Sequence, residues 1–273
     1  MIAVPAGLYC VGSDSHYPEE RPARQIALSG FRLDRGPVSI GAFAQFVAQT
    51  GYVTQAERAD PPGSAAFVMS AGPVDLRQPA NWWRFALGAN WRSSGADRGE
   101  DLAQRADHPV THVTHSDALA FAAWRGARLP SENEWEAAAR LGAGPGPYAW
   151  GEAFAPSGVL RANVWTGSFP YYFAREGPPG TSAIGSFAPT QGGFLDLIGN
   201  VWEWTATPFL PQEAPACGCW PQGKSGPAAV WALKGGSFLC AGEYCARYRP
   251  SARIGAAAGD STAHIGFRCA ADD

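Results

Sequence analysis

Thirty-three glycines and twenty-three prolines among 273 residues set the first limit on what this chain can fold into. Together they make up about a fifth of the sequence, against roughly 12% in average chains. Glycine costs backbone entropy in a helix, and proline removes a donor and clashes with the preceding turn. A mostly helical fold is therefore excluded. Eleven tryptophans and a charged fraction of only 16% point to a loop-rich α+β fold with little regular secondary structure. Aromatic packing would hold it, and bound ions could reinforce it.

Other classes fall away quickly. A hydrophobic content of 46% excludes intrinsic disorder. The formal net charge of −3 argues against nucleic acid as a main partner, since phosphate-binding proteins carry a basic excess. No apolar run approaches the roughly 18 residues that span a bilayer, so no membrane partner is expected. The opening MIAVPAGLYCVGS lacks a basic segment followed by a long apolar stretch, and no secretory signal is expected from it. No composition shift marks a linker, which predicts one domain over residues 1–273.

The periodicity predicts three helices. The first follows Ser39 as N-cap, buries Phe43, Phe46 and Val47, and ends near Gly51. The second starts at Ser116 or Asp117 and carries Leu119, Ala122 and Ala123. The third has a Ser131-x-x-Glu134 capping box and runs to about Gly142. Strands are expected at 25–28, 31–34, 110–113, 230–234 and 265–269. Long loops are expected over 57–107 and 143–195, and loops of that length are usually functional or ion-stabilised.

Three segments carry candidate chemistry. In Lys234-Gly-Gly-Ser-Phe-Leu-Cys240-Ala-Gly-Glu-Tyr-Cys245-Ala-Arg-Tyr-Arg249, two thiols five residues apart can face each other across a turn. They could form a short-loop disulfide, lie as two inert thiols, or hold a soft ion such as Cu(I) or Zn(II), with a coordination position left for a substrate sulfur. In Gly193-Phe-Leu-Asp196-Leu-Ile-Gly199-Asn-Val-Trp202-Glu203-Trp204-Thr205, two carboxylates and turn carbonyls form the oxygen mixture that Ca²⁺ prefers, or simply a solvated turn with aromatic anchors. His108, His112 and His115 invite a metal reading, but Pro109 and the β-branched neighbours favour extended chain, where His115 points away from the other two. His16 and His264 stand alone and receive no role. Cys217 and Cys219 lie in a Pro/Gly-rich stretch and read as incidental thiols. No phosphate loop, GxSxG elbow or HExxH motif is present.

Taken together, these segments resemble the formylglycine-generating enzymes, also called sulfatase-modifying factors, nearly end to end. The resemblance rests on Gly51-Tyr-Val-Thr-Gln-Ala-Glu57, Gly88-Ala-Asn-Trp-Arg92, Asp107-His-Pro-Val110, Arg128-Leu-Pro-Ser-Glu-Asn-Glu-Trp-Glu136, Gly199-Asn-Val-Trp-Glu-Trp204 and Gly266-Phe-Arg-Cys269. Several of these mark a wider superfamily that includes non-catalytic binding modules and other oxidases. The Cys240/Cys245 pair is the discriminating feature.

The resemblance implies a fold related to C-type-lectin-like domains and stabilised by Ca²⁺. It implies oxidation of a cysteine in an unfolded sulfatase segment, within Cys-x-Pro-x-Arg, to Cα-formylglycine. Cys240 and Cys245 would hold Cu(I), the substrate thiolate would join them, and O₂ would be co-substrate. Ser237 and Trp202 would line the substrate site. One calcium would use Asn163, Val164, Glu176 and Pro178, and a second Asp196, Gly199, Val201 and Glu203. Glu176 stands where relatives often carry Asp, and Asp196 where they carry Asn. Ala122, Ala139 and Pro250 occupy half-cystine positions of secreted relatives, which implies a bacterial-type cytoplasmic enzyme. The alternatives are a non-catalytic binding module and a related oxidase acting on another cysteine-bearing substrate.

Overall fold

The computed structural model describes residues 1–93, 102–209 and 229–273. The elements run β1 (Ile2–Val4), β2 (Gly7–Val11), β3 (Arg24–Leu28), β4 (Phe31–Leu33), α1 (Ile40–Thr50), α2 (Gln55–Arg58), β5 (Gly63–Phe67), β6 (Trp83–Leu87), α3 (His115–Trp124), α4 (Glu132–Arg140), β7 (Trp202–Pro208), β8 (Val230–Lys234), β9 (Arg253–Ala257), β10 (Ile265–Phe267) and β11 (Ala270–Asp272). Cys217 and Cys219 lie outside the described residues. Among the described residues, no helix is long and apolar enough to cross a membrane.

Helix starts follow local chemistry. The Ser39 hydroxyl accepts from the Ala42 amide at 3.1 Å, and Gly51 closes α1 in the left-handed region at φ 68°. Ser131 and Glu134 form the expected capping box of α4. The second long helix differs from expectation. Thr114 is its cap and Asp117 completes the box, so it starts earlier than Ser116. Its buried face is His115, Ala118, Phe121 and Ala122, while Leu119 is exposed. Residues 110–113 form no strand. His112 takes a left-handed φ of 60°, and its amide bonds the Thr262 carbonyl at 2.9 Å.

Short sheets tie distant segments together. β4 lies between the two terminal strands β1 and β11, all antiparallel. A four-stranded sheet runs β10-β7-β8-β9, with β10 parallel to β7. β2–β3 and β5–β6 are hairpins, the second inside the segment expected to be a long loop. The 143–195 segment holds only a 3₁₀ turn at Pro156–Gly158, as expected.

Aromatic packing fills the interior. Phe43 lies 5.8 Å from Phe121 and 5.2 Å from Trp91, centroid to centroid. A second cluster gathers Phe67, Trp82, Trp83, Trp165, Phe169 and Phe238. That cluster walls the site described next.

Candidate active site

β8 ends at Lys234 and the chain turns through Gly235 and Gly236. Gly236 has φ 76°, and a Cβ there would lie 2.5 Å from the Arg247 carbonyl oxygen and 3.3 Å from Cys240 Sγ. Only glycine lets the loop fold back this closely. The Cys240 amide then bonds the Ser237 carbonyl at 2.9 Å, and the Cys245 amide bonds the Ala241 carbonyl at 2.8 Å. These two turns aim both thiols at one another.

The sulfurs stand 3.6 Å apart, both buried and both free. A disulfide would bring them to about 2.05 Å. Once one of them ionises, the remaining proton lies between the two sulfurs, which titrate as a pair. The hydrogen bond from Cys240, helped by the positive Arg247 beside it, brings Cys245 down to about 7 against the opposing effect of burial. Burial pushes Cys240 well above the ordinary cysteine range. The Ser237 amide also donates to Cys240 Sγ at 3.4 Å. Arg247 is itself anchored by buried Glu19 and lies over the Tyr17 ring at 3.7 Å.

The sign of this pairing is testable. Thiolate absorbance should rise with pH around a midpoint near 7, and Cys240→Ala should move the midpoint upward by removing the donor. A wild-type midpoint at about 8.5 or higher, where an ordinary cysteine titrates, would contradict the shared proton.

A small cavity of about 10 Å³, room for roughly one water, lies against both thiols. Its walls are Trp82, Trp83, Phe169, Trp202, Ser237, Leu239, Tyr244 and His264. Ser237 and Trp202, expected from the sequence, are therefore here. The other wall residues were not expected. The Trp82–Trp83 doublet was a visible signal, and Tyr244 sits inside the cysteine segment, but His264 gave none. The Tyr244 ring stacks on Phe169 at 4.8 Å, and its hydroxyl is buried without a hydrogen-bond partner among the described residues. Burial, and then the nearby Cys245, raises its pKa. His264 packs on Trp83 at 4.8 Å and shares a hydrogen bond with Thr262 Oγ1 at 2.8 Å. Burial, with His112 close by, lowers it to about 3, so it is neutral.

The other histidines disperse. His108 meets Thr181, His112 meets Ser64, and His115 stacks on Trp231 at 4.1 Å while bonding the Thr205 carbonyl. Among the described residues, no group of three His, Cys, Asp or Glu side chains converges.

A family model described as the sulfatase-modifying factor enzyme 1-like domain matches residues 1–273. The chain belongs to the formylglycine-generating enzyme family. It is 45% identical to the formylglycine-generating enzyme of Mycobacterium tuberculosis, over 100% of this chain and 97% of that protein. It is 42% identical to the enzyme of that name from Thermomonospora curvata, over 100% and 93%. The solved structure of PvdO from Pseudomonas aeruginosa matches with a TM-score of 0.66 at 23% identity, covering 99% of this chain and 93% of that one. At that identity the likeness shows the fold alone.

The formylglycine-generating enzyme family implies metals, and the donor sets can be tested for fit. Two soft thiols, one of them favoured as thiolate, suit Cu(I). A structural zinc would want four ligands, and the cavity wall is aromatic rather than rich in further donors. At the second calcium set, Gly199 has φ 75° and packs against the Asn163 carbonyl, where a Cβ would lie 2.4 Å from the oxygen. Asp196 Oδ2 accepts from the Gly185 amide at 2.7 Å, while Oδ1 is buried without a hydrogen-bond partner. That orphaned oxygen fits a cation. Glu203 is already engaged: it accepts from Trp135 Nε1 and from Arg268 Nε and Nη2, each at 2.7 Å. The first calcium set fits less well. Asn163 Oδ1 accepts from the Arg175 guanidinium, and Glu176 and Pro178 are exposed.

Proposed function

We propose that this protein oxidises a cysteine in an unfolded sulfatase-type segment, within Cys-x-Pro-x-Arg, to Cα-formylglycine. The observation that carries the proposal is the Cys240–Cys245 pair: two free, buried thiols 3.6 Å apart in an aromatic cavity. A binding module needs no such pair. Family membership and the full-length identity to named formylglycine-generating enzymes support the same reading.

Cys240 and Cys245 would hold Cu(I), which supplies one-electron redox chemistry toward O₂ when bound. The overall balance is R–CH₂SH + O₂ + 2 R′SH → R–CHO + H₂S + H₂O + R′SSR′. The added thiols supply the two electrons that cysteine oxidation alone does not. The chain's own residues set the conditions. Cys245 is the more acidic of the pair and ionises near neutral pH, so a soft ion needs to displace only the proton shared with Cys240. The tryptophan and phenylalanine walls keep water out. Ser237 fixes Cys240 through its amide, and neutral His264 adds no charge beside the thiols.

A groove of about 370 Å³ is lined by Trp83 together with Gln55, Gly63, Ser64, Arg84, Phe85 and Asp260 among others. Trp83 belongs to both groove and thiol cavity. An extended peptide lying in this groove could pass its cysteine inward beside Trp83. Asp196, with turn carbonyls at Gly199 and Val201, would hold one structural calcium. The free state of Cys269, buried beside Asp34, accords with a reducing cytoplasmic setting. Protein unfolded in a thiol-blocking reagent should show Cys10 and Cys269 fully blocked; a disulfide between them would refute that setting.

The decisive experiment is turnover. The chain, loaded with Cu(I), is given O₂, a thiol reductant and a peptide containing Cys-Thr-Pro-Ser-Arg. Mass spectrometry should find aldehyde in place of thiol, with sulfide released. Copper binding without peptide conversion would redirect the reading to another cysteine-bearing substrate. Failure of both would favour the binding module.

A further inference from the structure

The two carried-over calcium sets differ in what already fills them. In the first, the Asn163 amide is held in one orientation. Its Nδ2 donates to the Gly180 carbonyl at 3.0 Å and to Asn200 Oδ1 at 3.1 Å. Its main-chain oxygen accepts from the Asn200 amide at 2.8 Å. That leaves Oδ1 as the free acceptor, and the Arg175 guanidinium donates to it. The same guanidinium lies 4.8 Å over the Phe173 ring and 6.0 Å from Phe187. Arg175 is partly buried, and its guanidinium Nε is buried and lacks a hydrogen-bond partner.

Calcium needs about six to eight oxygens, each roughly 2.3–2.6 Å away. A guanidinium hydrogen-bonded to Asn163 Oδ1 sits where the ion would have to be. The two positive charges would repel, and the arginine cannot lose its proton. The only carboxylate of this set, Glu176, is exposed, whereas Asp196 of the second set is buried with one oxygen unpartnered. The first set thus already holds a cation on its amide oxygen, whereas the second set offers a buried carboxylate oxygen with no hydrogen-bond partner among the described residues.

We propose that the Arg175 guanidinium is a built-in cation that takes the place of calcium at Asn163, so that this chain binds no calcium through its first set. The loop from Asn163 to Gly180 is then pinned by a covalent part of the chain and keeps its order at any calcium concentration. The proposal leans only on the carried-over calcium set; it is independent of the oxidase chemistry, since it is read from ion binding and unfolding rather than turnover.

The test is calcium counting on the full chain, by metal analysis and by titration with CaCl₂ after chelator treatment. Wild type and Glu176→Gln should bind the same number of calcium ions, and their Tm values should agree within about 2 °C. Arg175→Gln should bind one calcium more than wild type. Its Tm should fall by about 4–10 °C in chelator and recover in excess CaCl₂. Arg175→Lys, which keeps a cation, should bind as many as wild type, and it serves if the glutamine variant does not fold. Two calcium ions in wild type, one fewer in Glu176→Gln, or no gain on removing the arginine charge would each overturn the proposal. Loss of peptide turnover with these counts intact would fault the oxidase reading and leave this one standing.

Discussion

Cys240→Ser and Cys245→Ser should each lower peptide oxidation by at least about 10³-fold, and the double substitution should do little more damage than either alone. Residues that act as one unit are strongly non-additive. The pair stands 3.6 Å apart, and each sulfur depends on the other: the hydrogen bond with Cys240 is what lowers the pKa of Cys245. A serine oxygen is hard, and it does not ionise near neutral pH. The site would lose both soft donation and the easily displaced proton. Copper affinity, measured by competition with a Cu(I) chelator, should fall together with turnover. A single variant that keeps a tenth of wild-type turnover would show that the thiols are not the metal-binding unit. Thermal unfolding should change little, because serine is nearly isosteric with cysteine and the loop is held by main-chain bonds to Ser237 and Ala241.

Glu203→Gln should be the most destabilising single conservative change, at about 3–5 kcal/mol. Glu203 and Arg268 are both fully buried, and the guanidinium makes two 2.7 Å bonds to the carboxylate. The pair joins β7 to the residue after β10, and Trp135 Nε1 on α4 donates to the same carboxylate at 2.7 Å. Arg268 also reaches the carbonyls of Asp34, Arg35, Leu195 and Asp196. Removing the carboxylate charge leaves the guanidinium buried and uncompensated. Replacing both members by Met should not recover the loss, because the carbonyls of Asp34, Arg35, Leu195 and Asp196 and the Trp135 indole N–H would lose the groups that bond them. The exposed Arg128–Asp272 pair is the control, and Asp272→Asn should cost under about 1 kcal/mol. Denaturant unfolding in chelator separates this ion pair from any calcium bound at Asp196. A loss under about 1 kcal/mol for Glu203→Gln would mean the pair is not a keystone of the fold.

Local sequence was enough where local chemistry decides. The Ser131–Glu134 box placed α4, and Ser39 with Gly51 placed α1, because capping is a contact over three or four residues. Thr114-x-x-Asp117 is the same device at the start of α3. Ser116 and Asp117 looked like equally good starts, and only the bond from the Thr114 amide to Asp117 Oδ2 at 2.8 Å separates them. The 110–113 segment has strand-like residues, yet long-range bonding wins: His112 turns left-handed to reach Thr262, a contact invisible at that spacing. The β5–β6 hairpin is hidden in the sequence because fifteen residues join its two short strands, far more than a hairpin turn, and Gly63–Phe67 holds no β-branched residue.

For the site, the sequence by itself determined the thiol pair. Five-residue spacing across a glycine-containing turn is a short-range constraint, closed by main-chain bonds to Ser237 and Ala241. The sequence also determined the family, since the motifs that carry it are contiguous. What surrounds the thiols was decided only in three dimensions. Trp83, Phe169, Trp202 and His264 come from four distant segments, and they meet because β5–β6, the 143–195 loop, β7 and the turn before β10 pack on one another. The calcium sets show the same division. Oxygen-bearing residues can be matched by position, but which oxygen is already taken depends on where a long side chain comes to rest. Arg175 is twelve residues from Asn163 in the chain, and only the folded loop brings its charge onto that amide.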